Sequence, residues 1–217
     1  MKITREQFDI QCTEKTLKLA FVGMSNIGKS HWSEALEESM KFDRYGVDDH
    51  IADSLGLDGM EGMVRWMGYP FEDRYPQTQS EYLVKEEKLT RFDEWKSGSN
   101  VILDTTGSVV HLSDDVLEYL KKEYTIVLFD TSLSLLDDMI EEFFRTPKSI
   151  VWGDEFQPLE DELGIDTLRR CYPGLLEYRI NKYRDVADVV MPGEFTRIKG
   201  LSVERFWEML RLSFPKD

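Results

Sequence analysis

The run Gly23-Met24-Ser25-Asn26-Ile27-Gly28-Lys29-Ser30 satisfies the spacing G-x-x-x-x-G-K-[ST] in full. Glycines at those places let backbone N–H groups turn inward around phosphate oxygens, and a helix starting just after them adds its partial positive charge. Lys29 is then in reach of β- and γ-phosphates, and the Ser30 hydroxyl is a ligand for Mg²⁺. A second fixture is Asp104, which ends the apolar run Val101-Ile102-Leu103. A carboxylate delivered there by a strand is placed to hold the same Mg²⁺ directly or through water. The residue types and spacings predict a nucleotide site with Lys29 catalytic, Gly23 to Ser30 as the phosphate cradle, and Ser30 and Asp104 on the metal side.

Such a site needs a strand ahead of the loop and a helix behind it. Leu17 to Val22 is an apolar run suited to a strand buried on both faces of a parallel sheet. From Lys29 to Met40, Trp32, Ala35, Leu36 and Met40 recur at helical spacing. Further strands are expected near 42–47, at 101–104, 125–130 and 187–191, alternating with helices near 49–57, through Leu83, Leu89, Phe92 and Trp95, from Ser113, over 133–144, 175–186 and 202–214. An irregular stretch from Arg145 to about Asp166 is too long for an ordinary connection and marks a lid. The alternation predicts one α/β domain over 1–217: a three-layer P-loop NTPase fold, with a mainly parallel five-stranded sheet flanked by helices. An acceptor-binding insertion is placed at about 48–97 and the lid at about 145–170.

The 217 residues carry 27 Lys and Arg against 42 Asp and Glu, a net charge of −15. A field of that sign disfavours nucleic acid and anionic membrane surfaces as partners. There is no apolar run of transmembrane length and no signal-peptide core, so a cytoplasmic location is expected. Cys12 and Cys171 are too few for a disulfide framework, and His31, His50 and His111 form no zinc spacing. Trp66, Trp95, Trp152 and Trp207 read as packing residues, with Trp152 also a candidate to close over a pocket from the lid. The acids at 154, 155 and 160–162 read as solvated surface. Oligomeric state is not fixed by the sequence.

The loop and Asp104-Thr105-Thr106-Gly107 also satisfy the phosphate-loop and D-x-x-G patterns of small GTPases. The guanine-reading N-K-x-D fails, however, because in Asn181-Lys182-Tyr183-Arg184-Asp185 the aspartate lies one place too far within a helical pattern. On a helix that slip turns the carboxylate by about 100°.

From residue 17 to about 191 the chain resembles shikimate kinase, a small P-loop kinase. Asp48-Asp49-His50-Ile51 looks like the family's D-x-x-I, which places the binding of acceptor hydroxyls on Asp48. Thr105-Thr106-Gly107-Ser108 stands where the family has a glycine triplet, so Thr106 and Gly107 are candidate acceptor contacts. Arg145-Thr146-Pro147 resembles the start of the family's lid, which makes Arg145 the cation over the ATP phosphates. The segment from Tyr178 to Asp188 is similar to R-x-x-x-Y-x-x-x-A-D, whose arginine pairs with the substrate carboxylate, a role that falls on Arg179. A bidentate guanidinium suits a planar carboxylate on physical grounds as well.

Three departures touch the acceptor side. The family's aspartate two places before Asp48 is Gly46 here, its glycine triplet is TTGS, and its G-E-x-x-F-R-x-x-E has only a distorted counterpart in Gly68 to Arg74. Arg74 and Arg65 are the candidates for a second acceptor-binding arginine. The resemblance implies an ATP- and Mg²⁺-dependent kinase of a small hydroxylated, carboxylated metabolite. The altered motifs keep open a non-catalytic nucleotide-binding regulator, with a GTPase third.

Overall fold

The computed structural model describes residues 3–146, 148 and 150–216. In chain order these form α1 (Arg5–Glu14), β1 (Lys18–Gly23), α2 (Lys29–Met40), β2 (Asp43–Gly46), α3 (Val47–Ser54), α4 (Gly59–Met67), α5 (Tyr75–Thr90) and β3 (Val101–Asp104). A single 3₁₀ turn at Val109–His111 leads to α6 (Asp114–Glu123), β4 (Thr125–Asp130), α7 (Leu133–Arg145), α8 (Gly164–Val186), β5 (Val189–Pro192), α9 (Gly193–Thr196) and α10 (Val203–Ser213).

The five strands make one sheet in the order β2-β3-β1-β4-β5, and every pairing is parallel. β1 is central, and Leu19 to Gly23 are all buried, which is why its sequence is a continuous apolar run instead of an alternating one. Because β1 connects to β2 on one side while β3 crosses to β4 on the other, the direction in which the sheet is wound reverses between β1 and β3. The loops after those two strands therefore border the crevice at the carboxyl ends of the sheet, where open α/β sheets bind ligands.

Helices flank the sheet as expected, with differences of extent. α1 is stabilised by a capping box, in which Thr4 accepts from the Gln7 amide and Gln7 returns the bond to the Thr4 N–H. Its Phe8 packs against Trp207 and Phe214 of the last helical segment. Trp32 of α2 stacks on Phe206 of α10, ring centroids 4.0 Å apart. α5 stops at Thr90, and Phe92 and Trp95 continue its apolar rhythm from a loop, packing edge to face on each other and around Tyr45.

The helix expected from Leu175 begins at Gly164 and carries Pro173 inside it. The irregular stretch accordingly closes at Leu163, and much of it is fixed. Val151 and Trp152 are buried, the Trp152 amide donates to Gln79 Oε1 (2.8 Å) and Tyr75 Oη (3.1 Å), and Tyr75 donates to the Ile150 carbonyl. Trp152 packs against Phe156 and Tyr172 as a core residue, not as a flap over a pocket. Among the described residues no helix is long and apolar enough to cross a membrane.

Candidate active site

The loop between β1 and α2 is held by backbone geometry that its sequence makes possible. Gly23 has φ 142°, and a Cβ there would lie 2.6 Å from the Phe129 carbonyl oxygen, so a side chain is excluded twice over. Met24 and Ile27 are buried beneath the loop, and the Ile27 carbonyl accepts from Thr196 Oγ1 at 2.6 Å. The Thr196 carbonyl in turn accepts from Trp32 Nε1 at 2.8 Å, so α9 braces the loop against α2. Lys29 is 6% exposed and donates to the carbonyls of Gly23 (2.9 Å) and Met24 (3.1 Å). Burial lowers its pKa, opposed by the nearby carboxylates of Asp104 and Asp48. Ser25, Asn26 and Ser30 are exposed, and Asn26 donates to Glu142 Oε1 of α7 at 2.7 Å while accepting from Lys148 Nζ.

Of the cavities that open at this loop, two meet at Asp48. One, of about 90 Å³, is lined by Asp48, Tyr82, Gly107, Ser108, Lys148 and Arg179 among others. The second, of about 430 Å³, is lined by Gly28, Lys29 and Ser30 on the phosphate-loop side. Asp48, Ser25 and Lys148 face both. Asp48 stands in the first turn of α3, immediately after β2, and accepts from Tyr82 Oη at 3.2 Å. Burial raises its pKa, and the Lys29 ammonium works against that rise. Arg179 is only 4% exposed; its Nε donates to His111 Nε2 (3.1 Å) and its Nη2 to the Val151 carbonyl (2.6 Å). His111 must accept from the guanidinium, and burial together with the Arg179 charge pushes its pKa down to about 3.

The structure thus brings Asp48, Gly107 and Arg179 into one cavity beside the phosphate loop. Thr106 is placed elsewhere: it is buried and bonded to Glu86, and its neighbour Ser108 faces the cavity. Arg74 is exposed and paired with Glu72 at 2.9 Å, and Arg65 is exposed and paired with Glu61, so neither lines the cavity. Arg145 ends α7 exposed to solvent, and the cation that meets the loop is Lys148. Pro147 lies outside the described residues. Asn181 to Asp185 fall inside α8 and do not follow a strand, so the guanine-reading motif has no structural counterpart there.

Asp104 ends β3 with only 3% exposure, and its Oδ1 is buried without a hydrogen-bond partner among the described residues. An orphaned carboxylate oxygen, together with the exposed Ser30 hydroxyl, is a donor set that suits Mg²⁺, which uses one or two protein oxygens and completes its shell with phosphate and water.

Glu86, Tyr82 and Lys148 carry no spacing signal that marked them in the sequence, and Ser108 stood only as the last residue of the Thr105-to-Ser108 run. Glu86 is fully buried in α5, with Thr106 Oγ1 against one oxygen and Ser108 Oγ 2.9 Å from the other, while the two hydroxyls are 3.1 Å apart. A protonated Glu86 closes this as a ring of three donated hydrogens, and burial pushes its pKa up to about 8. A raised carboxyl pKa stabilises the fold below its unfolded value near 4.5, and the contribution is lost as pH rises through 8. Glu86→Gln preserves the ring without a titrating group. Denaturant unfolding at pH 5 and pH 8.5 should show wild type losing on the order of 4 kcal/mol more than the variant. Equal losses would contradict a protonated Glu86.

An all-parallel sheet of this order, with a G-x-x-x-x-G-K-S loop after its central strand, defines a P-loop kinase-like α/β fold. In particular it is a shikimate kinase-like fold. The chain is similar to the shikimate kinase of Acinetobacter baumannii in complex with shikimate, at 19% identity and TM-score 0.58, covering 92% of this chain and 94% of that one. It is also similar to the shikimate kinases of Bacteroides thetaiotaomicron (16%, TM-score 0.55, 89% and 98% covered) and Aquifex aeolicus (18%, 0.51, 89% and 96%). No protein-family model matches the sequence, and no curated protein matches it significantly.

Proposed function

We propose that this protein is an ATP-dependent phosphotransferase that phosphorylates a hydroxyl group of a small carboxylated metabolite in the cytoplasm. The observation that carries this reading is the position of Asp48, which lines both the cavity that holds Arg179 and the phosphate-loop cavity. A hydroxyl bound against Asp48 therefore faces a phosphoryl group held by residues 23–30. Asp48 orients that hydroxyl and accepts its proton as the oxygen attacks. Lys29, whose donors rest on two carbonyls of its own loop, re-aims at the β- and γ-phosphate oxygens. Lys148 covers the phosphates from above, and Arg145 is the second cation of that segment. Ser30 and Asp104 are the residues that would hold Mg²⁺, which would supply charge neutralisation on the transferring group.

The acceptor's carboxylate belongs at Arg179, whose guanidinium is fixed by His111 and Val151 and is therefore preorganised. Removing one charge-assisted contact costs about 1.5–3 kcal/mol, so Arg179→Ala should raise the acceptor KM roughly 10- to 100-fold with a smaller effect on kcat. Steady-state kinetics that left both constants unchanged would remove Arg179 from the acceptor site. The nucleotide is tested by calorimetry with ATP and GTP, with and without Mg²⁺: ATP binding strengthened by Mg²⁺ is expected. Tight GTP binding with no affinity for ATP would overturn the kinase reading.

A further inference from the structure

β2 brings an arginine against the aspartate that ends β3. In the parallel register Gly46 lies beside Asp104, and Arg44 is two residues earlier on the same strand. Arg44 Nη2 stands 3.0 Å from Asp104 Oδ2, and its Nε donates to Ser33 Oγ at 2.8 Å. Ser33 Oγ is itself 3.1 Å from the same Oδ2, which closes a triangle on one oxygen of the carboxylate. The Arg44 side chain is 12% exposed and that of Asp104 3%. Asp49 and Glu34 also approach the same Nη2, at 3.3 and 3.5 Å. The glycine at 46 is what makes room: a Cβ there would lie 2.4 Å from Asp49 Oδ2 and 2.8 Å from Arg44 Nη2.

A buried carboxylate needs a counter-charge at all times, since an unpaired ion in a dry site is strongly disfavoured. We propose that Arg44 is a tethered counter-cation for Asp104, a positioning residue that neutralises it before metal arrives, commits Oδ2, and leaves Oδ1 as the single oxygen offered. This rests on Asp104 being the metal-side carboxylate. With a guanidinium at 3.0 Å the carboxylate has little net charge for a free divalent cation. Metal therefore enters with the nucleotide phosphates, which supply the missing negative charge.

The test uses nucleotide-free protein, Mn²⁺ as the probe, thermal unfolding and direct Mn²⁺ binding. Wild type and Arg44→Lys should show no Mn²⁺-dependent change in Tm. Arg44→Met should unfold roughly 10 °C lower in chelator. Mn²⁺ should restore most of that loss and bind roughly tenfold or more tighter than to wild type. Adding Asp104→Asn to Arg44→Met should abolish the Mn²⁺ response, which separates Asp104 from Asp49 and Glu34. An Arg44→Met protein that binds Mn²⁺ no better than wild type, or a double variant that still responds, overturns the proposal. If Arg44→Met does not fold, recovery of the fold in the double variant supports it and continued loss overturns it. Neither turnover nor nucleotide enters these measurements, so their failure leaves the phosphotransferase reading standing, and the reverse holds.

Discussion

Lys29→Ala should cut kcat and kcat/KM together by roughly 10³-fold, because the lost donor acts on charge that develops only as the phosphoryl group moves. The ammonium starts α2, sits nine-tenths buried, and reaches the carbonyls of Gly23 and Met24 across its own loop. It is therefore fixed beside the proposed phosphate positions before any ligand binds. Burial already disfavours its charged form, so truncation should leave Tm close to that of wild type. Stopped assays for ADP with purified, folded variant protein check the rate, and a loss of less than tenfold would remove Lys29 from the transition state.

Asp48→Asn should cost about 10²- to 10⁴-fold in kcat, the range of a positioned general base. Asparagine keeps an acceptor oxygen for Tyr82 Oη, so the start of α3 and the cavity wall are retained while the proton acceptor is lost. The pH profile supplies a second readout. Only the ionised carboxylate accepts the proton, and burial raises the Asp48 pKa above its ordinary 3.8, so wild-type kcat/KM should fall on the acid side at a pH above that value. That limb should be absent from whatever activity the variant retains. If Asp48 merely terminates β2 and opens α3, both rate and profile will resemble wild type.

The sheet and its nucleotide corner were legible because each rests on a short-range pattern. An apolar run, eight residues of fixed spacing and an amphipathic helix are contiguous, and nothing distant is needed to place Lys29. Asp48 and Arg179 lie 131 positions apart, and their convergence followed from the resemblance, not from periodicity. The elements that went unseen lack such patterns. α1 buries Phe8 alone, so its signal was the capping box Thr4 to Gln7 and not an apolar stripe. The helix expected from Leu175 starts at Gly164 instead and runs through Pro173, because Leu168, Tyr172, Leu175 and Leu176 bury a continuous face on both sides of the proline.

Glu86 resembled any acid in a charged helix, and only the fold shows it fully buried between Thr106 and Ser108. The choice between Arg145 and Lys148 depends on where the chain turns after α7, which no local pattern specifies. Arg44 was hidden for a related reason: its meaning comes from the cross-strand neighbour Asp104, 60 residues away.

In the proposed reaction phosphate moves from ATP to a hydroxyl held between Asp48 and Arg179. Its most direct test is ADP release by the wild-type protein with ATP and Mg²⁺ against a panel of small hydroxylated carboxylic acids, shikimate among them, with Lys29→Ala run in parallel. Release is expected to depend on one acceptor of this class, to be matched mole for mole by its phosphate ester, and to disappear in the variant. A folded protein that binds ATP yet releases no ADP with any of these acids, or releases it equally without acceptor and in Lys29→Ala, would contradict it.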